Sequence, residues 1–253
     1  MNWSGWLVFL AAVLAWEAAG RSRPELSFYV PPATEIASAL AALVLSGEAA
    51  GHLAITLLRL AAGYLLAAVL AVSAGIVLGY FRWAHSLMEP VIEFLRPMPS
   101  VAIIPVAILA LGIGDAMIVA VTVYASAWPI LINTIDGVRN IDPTLIQTGR
   151  TFGLNRWRIL SRIAVPAASP YVMTGLRISL AVALILVTTA EMLAGGKGLG
   201  FFILDEERSL RNANMYAGIA VTAALGYALN RGFALLEKRV MRWHHGAGAR
   251  EAV

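Results

Sequence analysis

Six ionisable residues sit inside or beside long apolar runs: Arg59, Glu93, Arg96, Asp115, Glu191 and Arg231. Charge in such a setting is costly, so it points to ion pairs, gates or solute pathways. Glu93 and Arg96 are three apart, which puts them on one helix face and within pairing reach. Glu191 falls near the end of an apolar stretch from Pro170 to Ala194, where it can line a pathway or only reach the interface. Glu93, Arg96 and Glu191 are therefore the candidate translocation residues. Bond-making chemistry has no comparable candidates. Cysteine is absent, which removes thiolate metal sites and a Cys nucleophile. His52 and His85 stand apart, and His244 and His245 are adjacent near the end of the chain, so no metal site is expected. Gly195-Gly196-Lys197-Gly198-Leu199-Gly200 is glycine-rich, but Gly follows the Lys where a phosphate loop needs Ser or Thr. It reads as a tight turn. With no nucleophile–base constellation either, no catalytic residue is expected and an intramembrane enzyme is disfavoured.

The elements that must position these residues follow from composition. Apolar types make up 59% of the 253 residues, and Asp, Glu, Lys and Arg only 13%. That charge is too sparse to coat a water-soluble domain, and the hydrophobicity excludes disorder. The net charge of +4 reads as basic cytoplasmic loops rather than a nucleic-acid surface. No charged residue lies between Arg59 and Arg82, Arg96 and Asp115, Asp115 and Asp136, or Arg211 and Arg231. The runs are Leu/Ala/Val-rich without period-two alternation, so they predict helices. Spans are expected at roughly 3–20, 53–80, 87–111, 115–134, 171–194 and 216–237, making an all-α polytopic membrane protein with about six transmembrane helices. Aromatics near the ends suit interfacial anchors: Trp3 and Trp6, Tyr80, Phe81 and Trp83, Phe201 and Phe202, and Trp243. Gly75 and Gly79 form a small-xxx-small pair suited to helix packing.

With both termini inside, the inner segments hold Arg82, Arg139, Arg150, Arg156, Arg158, Arg162, Arg177, Lys238, Arg239, Arg242 and Arg250. The outer loops hold fewer: Arg21, Arg23, Lys197, Arg208 and Arg211. The first span alone argues the other way, with Arg21 and Arg23 just after it. It lacks a positive n-region, so it reads as retained rather than as a cleaved signal. After Pro31-Pro32-Ala33, Thr34 is expected to cap a short outer interfacial helix carrying Ile36, Leu40, Leu43 and Val44, too short for a span.

The long polar interruption from Asp136 to Pro170 separates two spans. It interleaves Arg139, Arg150, Arg156, Arg158 and Arg162 with Phe152, Leu154, Trp157 and Leu160. Such a segment either meets a partner or lies on the inner leaflet as an amphipathic helix. Within it stand Gln147-Thr148-Gly149-Arg150-Thr151-Phe152-Gly153, then nine residues, then Ile163-Ala164-Val165-Pro166. This resembles the cytoplasmic loop of ABC importer permeases, which reads Glu-Ala-Ala, three residues, Gly, nine residues, Ile-x-Leu-Pro. Gly153, Ile163 and Pro166 match, Val165 replaces Leu, and Gln147-Thr148-Gly149 replaces Glu-Ala-Ala. Further runs resemble the nitrate, taurine and sulfonate subfamily: Arg96-Pro97-Met98-Pro99, Leu111-Gly112-Ile113-Gly114-Asp115, Pro129 to Thr134, Asp142-Pro143, Ala190-Glu191-Met192 and Gly198-Leu199-Gly200.

The resemblance implies a type I ABC importer permease core with a cytoplasmic coupling helix. It implies an N-terminal helix and outer segment at 1–51, the permease domain at 52–243 and a cytoplasmic tail at 244–253. Gln147, Arg150, Thr151, Phe152, Gly153, Leu154, Asn155, Arg156 and Pro166 become the expected ATPase-coupling residues. Arg150 and Arg156 suit acidic groups on a partner. Gly153 suits close approach of another backbone. Pro166 and Pro170 are expected to break the helix before the next span. The implied partners are a cytoplasmic ABC ATPase, an outer substrate-binding protein, a second copy of the chain and membrane lipid. No cofactor is expected on this chain, with ATP and Mg held by the ATPase. The solute class implied is a sulfonate, taurine or nitrate. A stand-alone secondary transporter or channel is the rival reading, and it lacks visible inverted repeats.

Overall fold

The computed structural model describes residues 3–22 and 24–241. The side chains of Trp3 and Trp6, and Arg23, Arg242, Trp243, His244, His245 and Arg250, lie outside the described residues. Among the described residues the regular structure is all helical, with no strand. In order come α1 (Trp3–Ser22), α2 (Pro24–Tyr29), α3 (Ala33–Leu45), α4 (Glu48–Tyr80) and α5 (Arg82–Leu95). A 3-10 turn, Ser100–Ile103, leads into α6 (Ile104–Leu111), then α7 (Asp115–Arg139), α8 (Pro143–Thr151) and α9 (Arg156–Ile159). A π-helical turn, Leu160–Ala164, joins α9 to α10 (Val165–Ala194), followed by α11 (Leu199–Arg208) and α12 (Asn212–Val240).

Among the described residues, five segments are long and apolar enough to cross a membrane: Ser27–Leu45, Glu48–Tyr80, Asp115–Arg139, Arg156–Ala194 and Asn212–Val240. A sixth forms if Arg82–Leu95 and Ser100–Leu111, bent by 89° at their junction, count as one broken span. Ser27–Leu45 differs from the sequence expectation. The stretch expected to be too short continues across Pro31-Pro32 into α2. Nor does Thr34 cap α3. Pro32 occupies the cap position, and the Thr34 backbone N–H and hydroxyl turn to Glu17 at 3.1 and 2.9 Å.

The chain divides into two compact units. One comprises the residues up to Leu58 with Glu191–Leu225. Its apolar core gathers Leu43, Ala49, Phe202 and Ala217. Phe202 is therefore a core residue rather than an interfacial anchor, because α11 turns it inward.

The other unit comprises Arg59–Ala190 and the residues from Gly226 on. Here α4 and α7 pack as closely as side chains allow. Gly63, Gly75 and Gly79 face Thr122, Thr134 and Val138, where an added Cβ would meet a neighbour at 2.7, 2.6 and 2.7 Å. The constant offset of 59 residues means that α4 and α7 run parallel. The intervening α5–α6 pair must therefore carry the chain back, as one bent crossing does. In contrast, α10 runs antiparallel to α7. Ser179 Oγ donates to the Ser126 carbonyl at 2.7 Å, Gly175 packs on Asn133, and Gly137 packs on Tyr171.

Pro166 and Pro170 do not break the chain. The run Arg156–Ala194 stays helical, and Pro166 is the second residue of α10. A proline in a helix leaves the carbonyl four residues back without its partner. The wider π turn just before α10 absorbs the first proline. For the second, the Ser169 hydroxyl donates to the Pro166 carbonyl at 2.8 Å, replacing the missing donor.

Candidate functional site

The polar interruption folds into two short helices and a turn, each with its own stop and start signals. Asp142 caps α8, its carboxylate accepting from the Thr144 N–H at 2.8 Å. This hydrogen bond holds the Asp142 carboxyl below the usual carboxylate range. Pro143 occupies the first helical position, where its missing N–H costs nothing. At the other end Gly153 N–H donates to the Arg150 carbonyl at 2.9 Å and Leu154 N–H to the Gly149 carbonyl at 3.0 Å. That pair of bonds, with φ of 73° at Gly153, is a Schellman stop. Asn155 then caps α9 by accepting from the Arg158 N–H at 2.9 Å.

The inner face of this hairpin is apolar. Gly149, Ile159 and Ala164 are buried, and a Cβ on Gly149 would strike Ile163. The small residue at the end of the degenerate Glu-Ala-Ala position thus packs against the Ile of the matching downstream motif. The outer face carries Gln147, Arg150, Thr151, Phe152, Gly153, Asn155 and Arg156, all exposed, with Leu154 half-buried at the turn. Phe152 and Trp157 are 79% and 70% exposed, an unusual state for such residues on a polar segment. Pro166 lies apart from this face, at the start of α10.

The candidate pathway residues part company. Glu93 and Arg96 are both exposed and make no ion pair with each other among the described residues. Arg96 sits beyond the end of α5, as its C-cap. Glu191 is wholly buried. Its carboxylate oxygens lie 2.9 and 3.1 Å from the Thr56 hydroxyl, and one accepts from the Gly200 N–H at 3.0 Å. His52 Nδ1 sits 3.0 Å from the Gly198 carbonyl oxygen, and Thr56 Oγ1 accepts from the Leu199 N–H at 2.8 Å. The glycine-rich segment is thus a tight turn pinned by one buried carboxylate.

Sequence reasoning did not foresee two partnerships. Thr56 and His52 meet the turn from more than 140 positions away. Arg59 donates through Nε and Nη2 to Asp115 Oδ1 at 2.8 and 2.6 Å. Both members of that pair stood out as intramembrane charges, but nothing local joins residues 56 apart.

Apolar helices long enough to cross a membrane, one bent pair among them, and an exposed polar hairpin between two of the spans define a multi-pass membrane protein. The model of the binding-protein-dependent transport system inner membrane component family matches residues 63–242, and the chain belongs to that family. An aliphatic sulfonates transport permease protein, SsuC of Bacillus subtilis, is 29% identical over 96% of this chain and 89% of its own length. The taurine transport system permease protein TauC of Escherichia coli is 29% identical over 76% of this chain and 70% of its own. The inward-facing MetNI methionine ABC transporter shares the fold, with a TM-score of 0.61 and 19% identity over 74% of this chain and 92% of that one. The protein is thus a multi-pass inner-membrane ABC transporter permease of the sulfonate, taurine and nitrate type, with the expected all-α type I core.

Proposed function

We propose that this chain is the pathway-forming subunit of an ATP-driven importer for a small anionic or zwitterionic solute of the sulfonate, taurine or nitrate class. Two copies line the pathway, a substrate-binding protein delivers solute outside, and an ABC ATPase works inside, with both termini on the cytoplasmic side. Catalysis, ATP and Mg belong to the ATPase chain. The observation that carries the reading is the α8–α9 hairpin. It is fixed at both ends by caps and at its middle by Gly153, yet it leaves Phe152, Trp157, Arg150 and Arg156 exposed. A rigid lever with an apolar and cationic tip is what a moving partner needs to grip. Closing of the ATPase pair then displaces the hairpin and shifts access across the membrane.

Co-purification with a cognate ABC ATPase tests this. Arg150→Glu/Arg156→Glu should abolish ATPase recovery while leaving membrane insertion intact. Wild-type recovery by that variant would remove the coupling role. Uptake of taurine, an alkanesulfonate and nitrate into vesicles holding the full complex then identifies the solute.

A further inference from the structure

The hairpin closes one side of a hollow of about 1350 Å³ whose other walls are the ends of α4 and α7 and the start of α5. Arg82, Arg139, Arg150 and Arg156 all line it, and no Asp or Glu does. Among the described residues none of the four lies within ion-pair distance of a carboxylate. Asp142 caps α8, and Glu89, exposed on α5, comes no nearer than His85 at 3.7 Å. Arg139 is held in place by donating to His85 Nε2 at 2.8 Å. The hollow is braced by the Tyr80 hydroxyl, which donates to the Arg156 carbonyl at 3.1 Å, and by an edge contact of Phe81 on Trp157.

Four arginines lining one hollow with no carboxylate among them repel one another unless an anion joins them. Guanidinium forks match phosphate oxygens in geometry and charge. The position selects the source of the phosphate. Tyr80 ends a 33-residue apolar helix and Arg139 a 25-residue one, and the two helices run parallel, so the hollow opens at a membrane surface. Trp83, 70% exposed beside Arg82, is placed as an interfacial anchor. Basic pockets between span ends at this level hold lipid headgroups.

We propose that this hollow binds the phosphodiester headgroup of an anionic phospholipid, with Arg82 and Arg139 as its principal ligands. The site would tie the level of the coupling hairpin to the lipid surface. Native mass spectrometry of the full chain in detergent, titrated with phosphatidylglycerol, phosphatidylcholine or inorganic phosphate, tests it. The wild type should retain phosphatidylglycerol well above phosphatidylcholine. Arg82→Gln should weaken that retention about fivefold, and Arg82→Gln/Arg139→Gln about thirtyfold. Equal retention of both lipids, or an unchanged double variant, would overturn the proposal. So would inorganic phosphate competing as strongly as the lipid, which would make this a free-anion site. Loss of ATPase recovery with lipid retention unchanged would make it a protein contact instead. If the double variant does not fold, Arg82→Gln decides alone, because Arg82 makes no hydrogen bond or ion pair among the described residues.

Discussion

Thr56 Oγ1 lies 2.9 and 3.1 Å from the two Glu191 carboxylate oxygens, and the pair clamps the Gly195–Gly200 turn by accepting from the adjacent Leu199 and Gly200 N–H groups. Gly198 is the tightest point of that clamp. Its φ is 115°, and a Cβ there would run into the Glu191 carboxylate. Gly196, two residues earlier, has open space around it and no left-handed φ. Gly198→Ala should therefore destabilise the protein by about 2 kcal/mol or more, whereas Gly196→Ala should stay near neutral. Thermal unfolding of the purified protein in detergent separates them. Equal melting temperatures for the two variants would mean that the clamp contributes nothing.

The sequence made the turn visible as glycine-rich but gave no clue to what grips it. Glu191 stood out because an acid in an apolar run is expensive. Thr56 and His52 carried no such mark, being common residues inside a long helix. The same contrast holds elsewhere. The positions of Glu48–Tyr80, Asp115–Arg139, Arg156–Ala194 and Asn212–Val240 followed from charge gaps, because desolvation makes charge rare in lipid, whereas Ser27–Leu45 did not. Pairings such as Arg59 with Asp115 depend on which helices become neighbours, which periodicity does not encode. Pro166 and Pro170 misled in the other direction. A proline rule describes an isolated helix, and here a π turn and the Ser169 hydroxyl supply what the rule says is lost.

Contact between α4 and α7 depends on three positions without side chains. Gly75→Ala would place a methyl 2.6 Å from Thr134 Cβ and 3.1 Å from the Leu131 carbonyl. The helices must part, which should cost about 1–3 kcal/mol. Gly51→Ala, also in α4 but with nothing within 4 Å, should gain up to about 1 kcal/mol from helix propensity. Opposite shifts in melting temperature are the expected result. A neutral Gly75→Ala would show that α4 and α7 are less tightly apposed than described.

Asp142 gives the hairpin a pH dependence. Its folded carboxyl titrates below the ordinary carboxylate value, chiefly because the Thr144 N–H donates to it. The stabilisation is therefore present above the unfolded value and is lost as pH falls through the lower folded value. The protection factors of the Leu145 and Ile146 amides, taken against their intrinsic exchange rates at each pH, should fall on acidification in the wild type. In Asp142→Asn, which keeps a capping oxygen without titrating, that fall should vanish. Identical pH profiles for the two proteins would place the acid response elsewhere.

Gly153 sits where the resemblance implied close approach by a partner backbone, and the structure adds a requirement internal to the chain. With φ of 73° and the two Schellman bonds, it reverses direction between α8 and α9 and so sets where Phe152 and Trp157 point. No atom lies within 4 Å of a Cβ at this position, so size alone is not what excludes a side chain. Gly153→Ala should then cost about 1–2 kcal/mol through left-handed strain. Gly153→Asn should cost less, because Asn tolerates that conformation. The order Gly, Asn, Ala should appear both in melting temperature and in recovery of the ATPase, although Asn is the bulkier substituent. If recovery instead falls in order of side-chain size, with Asn worse than Ala, the requirement at this position is clearance for the partner rather than the turn itself.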